Sequence, residues 1–88
     1  MFPFEKNALK LAVERALEEK AEYFAIRVRM GGFPTDEIII NDKENLEEKM
    51  KYWDKTYNET LFHNHSDTIS IVSWASGNSY QEIQQKLA

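Results

Sequence analysis

Cysteine is absent from the sequence, so neither a disulfide bond nor a thiolate metal site can reinforce the fold. Long apolar runs are also absent, and residues 1–6 lack the apolar core of a signal peptide. Acidic residues outnumber basic ones by 15 to 11, which sets the net charge at −4. That balance opposes binding to nucleic-acid phosphates and to anionic membranes. We therefore expect a cytoplasmic protein with no direct contact to nucleic acid or membrane.

The material for a hydrophobic core is nevertheless present. Of the 88 residues, 42% are hydrophobic and 12% are aromatic, and charges of both signs are interspersed rather than grouped. A chain of this length forms one domain and buries roughly 60–65% of the surface that its unfolded form exposes. We expect residues 1–88 to form a single compact α+β domain with a thin core.

One stretch, Tyr23–Met30, organises the predicted fold. Apolar side chains alternate with Ala25, Arg27 and Arg29 along it, which is the period of two that indicates a strand with one buried face. We interpret this stretch as the central strand of a small sheet. The other elements are expected to pair with it or to cover its apolar face.

Two long helices are predicted from apolar residues spaced three and four apart. The first spans residues 4–22, with Lys20 included on its apolar side. The second spans residues 43–58, where Asn41 is expected to cap the helix and Glu44 to complete a capping box. A short third helix begins after Ser79, with Glu82 completing a second capping box. The buried stripe of the second helix is Leu46, Met50, Trp53 and Tyr57.

Two further strands are predicted around these helices. Residues 37–41 follow a loop that contains two glycines and a proline, which favours a hairpin with the first strand. Residues 68–75 form the third strand, after a polar loop over residues 59–67. The element order is α-β-β-α-β-α, and we predict a fully antiparallel three-stranded sheet of order 2-1-3 with the two main helices on one face. That face is expected to carry Phe24, Ile26, Val28, Met30, Ile38, Ile40, Ile69 and Ile71.

The opposite sheet face is the first candidate for function. It is predicted to present a tryptophan and two arginines, residue types that are enriched at binding hot spots. In the alternative interpretation, the third helix folds back and buries Trp74, and the arginines merely solvate a strand. The residues predicted for a protein-binding surface are Arg27, Arg29, Ile39, Val72 and Trp74.

The second candidate is the segment that contains both histidines. His63, His65 and Asp67 have side chains that bind zinc or nickel, at a spacing of two residues. The chain has no other histidine, and a solvated loop explains the segment better. We therefore expect no metal and no cofactor, and keep these three residues as weak candidates.

The sequence carries no recognisable spacing of nucleophile and base and no motif that identifies a family. We expect a small, non-enzymatic accessory protein that binds another protein or a second copy of itself. The alternative is an acidic regulator or inhibitor of a nucleic-acid enzyme, of the kind that phages and prophages encode. A metal-dependent site at the histidine segment is the third possibility.

Overall fold

A computed structural model describes residues 5–87 of the chain. Its elements in chain order are α1 (Lys6–Glu18), β1 (Tyr23–Met30), β2 (Glu37–Asp42), a 3₁₀ turn (Lys43–Asn45), α2 (Leu46–Thr56), β3 (Phe62–His63), β4 (Ser66–Gly77) and α3 (Tyr80–Leu87). The four strands form one antiparallel sheet in the order β2-β1-β4-β3. The predicted α+β class is confirmed, and β1 has the predicted bounds between two neighbours.

The sheet has one strand more than the sequence predicts. Phe62 pairs with Ser70 and His63 pairs with Ser66, so part of the predicted polar loop is a short edge strand. The predicted count of three strands is therefore wrong, although the three predicted strands (β2, β1 and β4 of the structure) are neighbours in the predicted order 2-1-3. A two-residue strand shows no periodicity, and only its partner β4 reveals it.

Helix α1 ends four residues earlier than predicted, in a left-handed cap. Lys20 has φ of +56°, and the Ala21 amide donates to the Ala16 carbonyl at 3.0 Å while the Lys20 amide donates to Leu17 at 3.2 Å. These two bonds define a Schellman motif with lysine where glycine is usual. Lys20 is exposed, so its predicted place on the apolar side of the helix is wrong. The start predicted at Phe4 lies outside the described residues.

The start of α2 also differs from the prediction. Asn41 still belongs to β2 and is 6% exposed, and its Nδ2 donates to the Phe24 carbonyl at 3.3 Å. The capping box with Glu44 is therefore absent, because a 3₁₀ turn at 43–45 precedes the α-helix. The predicted stripe is confirmed: Leu46, Trp53 and Tyr57 are buried and Met50 packs beside them.

A bulge in β4 changes which face its second half presents. Arg27 pairs with Ser73 while Val28 pairs with Ile71, so Val72 is an extra residue between the two pairs. Beyond it, Trp74 pairs with Ile26 and packs against the main core. Directly paired residues share a face, so Trp74 lies on the helix-covered face. Its predicted place on the opposite face is wrong, because the extra residue reverses the alternation.

Strand β2 likewise presents its isoleucines opposite to the prediction. Ile39 pairs with Ile26, and therefore lies on the face covered by α1 and α2. Ile38 pairs with Arg27 and Ile40 with Ala25, so both lie on the other face. Three consecutive isoleucines carry no alternation, and the hairpin register alone selects the face.

Helix α3 covers one end of this second face. Ile83 and Leu87 pack with Ala25 into a small second core, which Tyr23, Ile40 and Ala75 surround. Ala25 and Ala75 are paired, so they offer α3 a flat patch for close approach. The predicted capping box is confirmed in part: the Glu82 amide donates to Ser79 Oγ at 3.1 Å, while the Glu82 carboxylate accepts from the Asn78 amide at 3.0 Å.

Candidate protein-binding surface

The other end of the second sheet face is an open depression of about 530 Å³. We call it the arginine depression. Side chains from β1, the β4 bulge and the turn before β3 converge on it. Its lining includes Arg27, Arg29, Thr60, Phe62, Val72 and Ser73.

The two arginines of β1 share one carboxylate. Asp36, in the loop before β2, accepts from Arg27 Nε at 3.0 Å and from Arg29 Nε and Nη2 at 3.1 Å each. Arg27 and Arg29 are two residues apart, so both project from the same face of β1. Arg27 Nη1 also donates to the Leu87 carbonyl, which ties α3 to the sheet. The Arg27 side chain is thereby held by two other parts of the fold, the loop before β2 and the end of α3.

This cluster is a positive site on an acidic protein. Hydrogen bonds from Arg29 are the main reason that the pKa of the Asp36 carboxyl lies below its usual range, with Arg27 adding to the effect and burial opposing it. The same contact raises the pKa of Arg29. Two guanidinium groups and one carboxylate leave one unit of positive charge. The Arg29 side chain is 64% exposed, so this charge is accessible.

An apolar patch lies beside the arginines. Phe62 is 41% exposed. Val72 is half-buried, and it lines this surface as the extra residue of the bulge. Phe62 follows Leu61, which is fully buried and has φ of +66°. This left-handed residue turns the chain so that Leu61 enters the core while the next side chain remains at the surface.

Asn58 holds the turn that presents Phe62. Its Oδ1 accepts from the Thr60 amide, the Thr60 hydroxyl and the Phe62 amide, all at 3.0 Å. The Ile71 amide donates to the Leu61 carbonyl at 2.9 Å and so attaches the turn to β4. Phe62 was missed at the sequence level because it lies in a stretch that was interpreted as a polar loop. The adjacent apolar pair at 61–62 was the available signal.

Three of the five residues predicted for a protein-binding surface lie together. Arg27, Arg29 and Val72 line the arginine depression. Ile39 and Trp74 do not, because both lie on the helix-covered face. Trp74 instead borders α1, next to Ala16. The predicted surface is thus divided between the two faces of the sheet.

The histidine segment is a tight hairpin between β3 and β4. Asn64 and His65 form its two-residue turn, since His63 pairs with Ser66. His63 Nδ1 accepts from the His65 amide at 3.0 Å, and the His63 ring packs edge-on against Tyr57 at 5.6 Å between centroids. Residues 5–87 contain no group of three histidine, cysteine, aspartate or glutamate side chains placed to hold a metal ion. The contacts that hold the His63 ring are thus the turn amide and Tyr57.

None of the helices within residues 5–87 is both long and apolar enough to cross a membrane. Comparison of the chain with protein-family models, with characterised proteins and with solved structures gave no match.

Proposed function

We propose that the protein is a non-enzymatic protein-binding module whose binding surface is the arginine depression. One observation carries the proposal: the exposed guanidinium of Arg29 and the exposed ring of Phe62 line the same concave surface. Arginine and aromatic side chains are the types that contribute most to binding free energy at protein interfaces. Helix α3 leaves this end of the sheet uncovered.

The chemistry of the depression specifies the kind of partner. Asp36 takes the Nε and Nη2 groups of Arg29, which leaves the Nη1 end for an incoming acceptor. A carboxylate would fit this end, because charge-assisted hydrogen bonds to guanidinium are stronger than neutral ones. Phe62 and Val72 would contact an apolar residue beside that carboxylate. The partner is thus a protein segment that presents an acidic residue next to an apolar one.

The fixed position of the arginines supports the proposal energetically. Binding costs roughly 0.5–1.5 kcal/mol for each flexible side chain that it immobilises. Arg27 is already held by Asp36 and by the Leu87 carbonyl, and Arg29 by two bonds to Asp36. Much of this ordering cost is therefore met when the protein folds.

A photo-crosslinking experiment tests the proposal. A benzophenone amino acid replaces Phe62 in one protein and Tyr52, which is 57% exposed on α2, in the control. In cell extract, we expect a discrete protein adduct from position 62 that position 52 does not form. Adding Arg29→Glu to the position-62 protein should remove this adduct, because the variant places a negative charge where the partner carboxylate would bind. Identical adduct patterns from both positions, or no adduct from position 62, would contradict the proposal.

The alternative of an acidic regulator that imitates nucleic-acid phosphates has weaker support. The groove between α1 and α2 carries Glu14, Glu47 and Asp54, but Lys10 and Lys51 lie among them. Lys10 Nζ is 3.1 Å from Asp54 Oδ1, and hydrogen bonding from Lys10 is the main reason that the pKa of Asp54 is lowered. Cations therefore interrupt the acidic strip that such a regulator would need.

A further inference from the structure

We propose that two copies of this protein pair through the free edge of β2 to form a continuous antiparallel sheet of eight strands. The observation behind this inference is that β2 is an unprotected edge strand whose sequence is complementary to itself. The proposal does not rest on the arginine depression, since it concerns a different surface and needs no foreign partner.

The two edges of the sheet differ in how they are protected. The edge strand β3 has only two residues and a register shift. Near the end of β4, beyond β3, Lys86 Nζ donates to the Ser76 carbonyl at 2.7 Å. Short strands, irregular register and lysine are devices that block edge-to-edge pairing. Strand β2 has six residues without lysine, proline or any register shift against β1. Within residues 5–87, no strand pairs with its outer side, so this edge is open to another strand.

Backbone geometry identifies the groups that would bind the second copy. The Lys43 amide donates to the Glu22 carbonyl at 3.0 Å, in the same register as the β1–β2 ladder. Residue pairs in an antiparallel ladder alternate between hydrogen-bonded and non-hydrogen-bonded. Every second residue counted back from Lys43 therefore directs its amide and carbonyl toward β1; these residues are Asn41, Ile39 and Glu37. Ile38 and Ile40 consequently direct theirs outward, away from the sheet.

One register satisfies these outward groups with a second copy of β2. When Ile39 faces its own counterpart across a two-fold axis, Ile38 of each copy faces Ile40 of the other, and these pairs exchange both backbone hydrogen bonds. All three isoleucines then meet only isoleucines. Ile38 and Ile39 are 37% and 38% exposed, so this pairing would remove apolar surface from water on both faces of the sheet.

The charges at the strand ends agree with this register. Asp42, exposed at the end of β2, would lie opposite Asp36 of the other copy. Asp36 is neutralised by two arginines, and the cluster of the three carries one net positive charge. In the dimer, Asp42 of each copy would therefore face the positive cluster of the other copy. Opposite charges that face one another across strands stabilise the pair.

The absence of cysteine from the chain allows a disulfide test of the register. Ile39→Cys would place two thiols in a non-bonded antiparallel pair, with Cα atoms about 4.5 Å apart, which suits a disulfide. Ile38→Cys would place its two thiols on a diagonal with Cα atoms about 7–8 Å apart, where a disulfide does not form without backbone movement. Leu11→Cys, at an exposed position of α1, reports random collision.

Under mild oxidation, we expect Ile39→Cys to become a disulfide-linked dimer at least tenfold faster than either control. Equal rates for the three variants, or faster crosslinking of Ile38→Cys, would overturn the proposed register and with it the proposal. Because Ile39 is partly exposed, the cysteine variant should fold, and a circular dichroism spectrum like that of the wild type checks this.

Light scattering over a concentration series supplies a second, independent measurement. The edge of one strand is smaller than a standard interface of about 800 Å² per partner, so we expect dissociation in the range of about 10 µM to 1 mM. The wild-type mass should rise from 10.4 kDa toward twice that value. Ile39→Lys should stay monomeric, because it places two ammonium groups together on the axis, whereas Leu11→Lys should dimerise like the wild type. A wild type that remains monomeric at about 1 mM would overturn the proposal.

Discussion

Replacing Trp74 by alanine should destabilise the fold and leave the arginine depression intact. The indole is half-buried, faces Ile26 and packs against the main core beside α1. A tryptophan side chain buries 150–250 Å² when enclosed, so about 100 Å² is lost here, which at about 25 cal/mol per Å² corresponds to about 2.5 kcal/mol. For a domain of this size, that is a fall in melting temperature of about 10–20 °C.

Urea and thermal unfolding followed by circular dichroism measure this loss, and Phe62→Ala provides the matched aromatic control. Phe62 is 41% exposed on the other face, so its loss should destabilise the fold less than the loss of Trp74 does, while weakening binding of the partner that position 62 crosslinks. The Trp74→Ala variant should still bind the same partner under conditions in which it is folded. If the Trp74→Ala variant kept its stability but no longer bound that partner, the indole would have to lie on the arginine depression. That result would refute our description of the β4 bulge.

The left-handed cap at Lys20 and the ion pairs of Asp36 can each be tested by a single substitution. Lys20→Gly should be about 1 kcal/mol more stable than Lys20→Ala by urea unfolding, because alanine keeps the left-handed strain at φ of +56° and glycine relieves it; equal stabilities would show that this cap carries no strain. Asp36 has a pKa below its usual range, so its bonds with Arg27 and Arg29 stabilise the fold above the unfolded pKa of about 3.9 and are lost as the pH falls through the lower folded value. The stability of the wild type relative to Asp36→Asn should therefore shrink below about pH 4, and a difference that does not change between pH 7 and pH 2 would contradict this linkage.

Features that depend on local sequence were predictable. The bounds of β1 follow from alternation along Tyr23–Met30, and the buried stripe of α2 follows from the spacing of Leu46, Trp53 and Tyr57. The start of α3 follows from Ser79 and Glu82, whose contacts span only a few residues. In each case the interactions that form the helix or strand lie within that element or one turn of it, so residues close together in the sequence are sufficient to specify it.

The candidate surface was only partly predictable, because its assembly depends on pairing between distant strands. Arg27 and Arg29 were identified from the face of β1 that they share. Phe62 was not, because β3 is defined by its pairing with β4 and has no periodic pattern of its own. Trp74 was assigned to the wrong face, because the extra residue at Val72 appears only when β4 is aligned with β1.

The sequence by itself determined the α+β class, the central strand and the core-facing stripes, since each is a periodic pattern of apolar residues read within one element. Only the tertiary structure decided which face carries Ile39 and Trp74, where α3 packs, and how Asp36 joins two arginines beside Phe62. The physical reason is that side chains alternate between the two faces along a strand, so one added residue or a register shift of one residue moves every later side chain to the other face of the sheet. That register is set by hydrogen bonds between strands that are far apart along the chain.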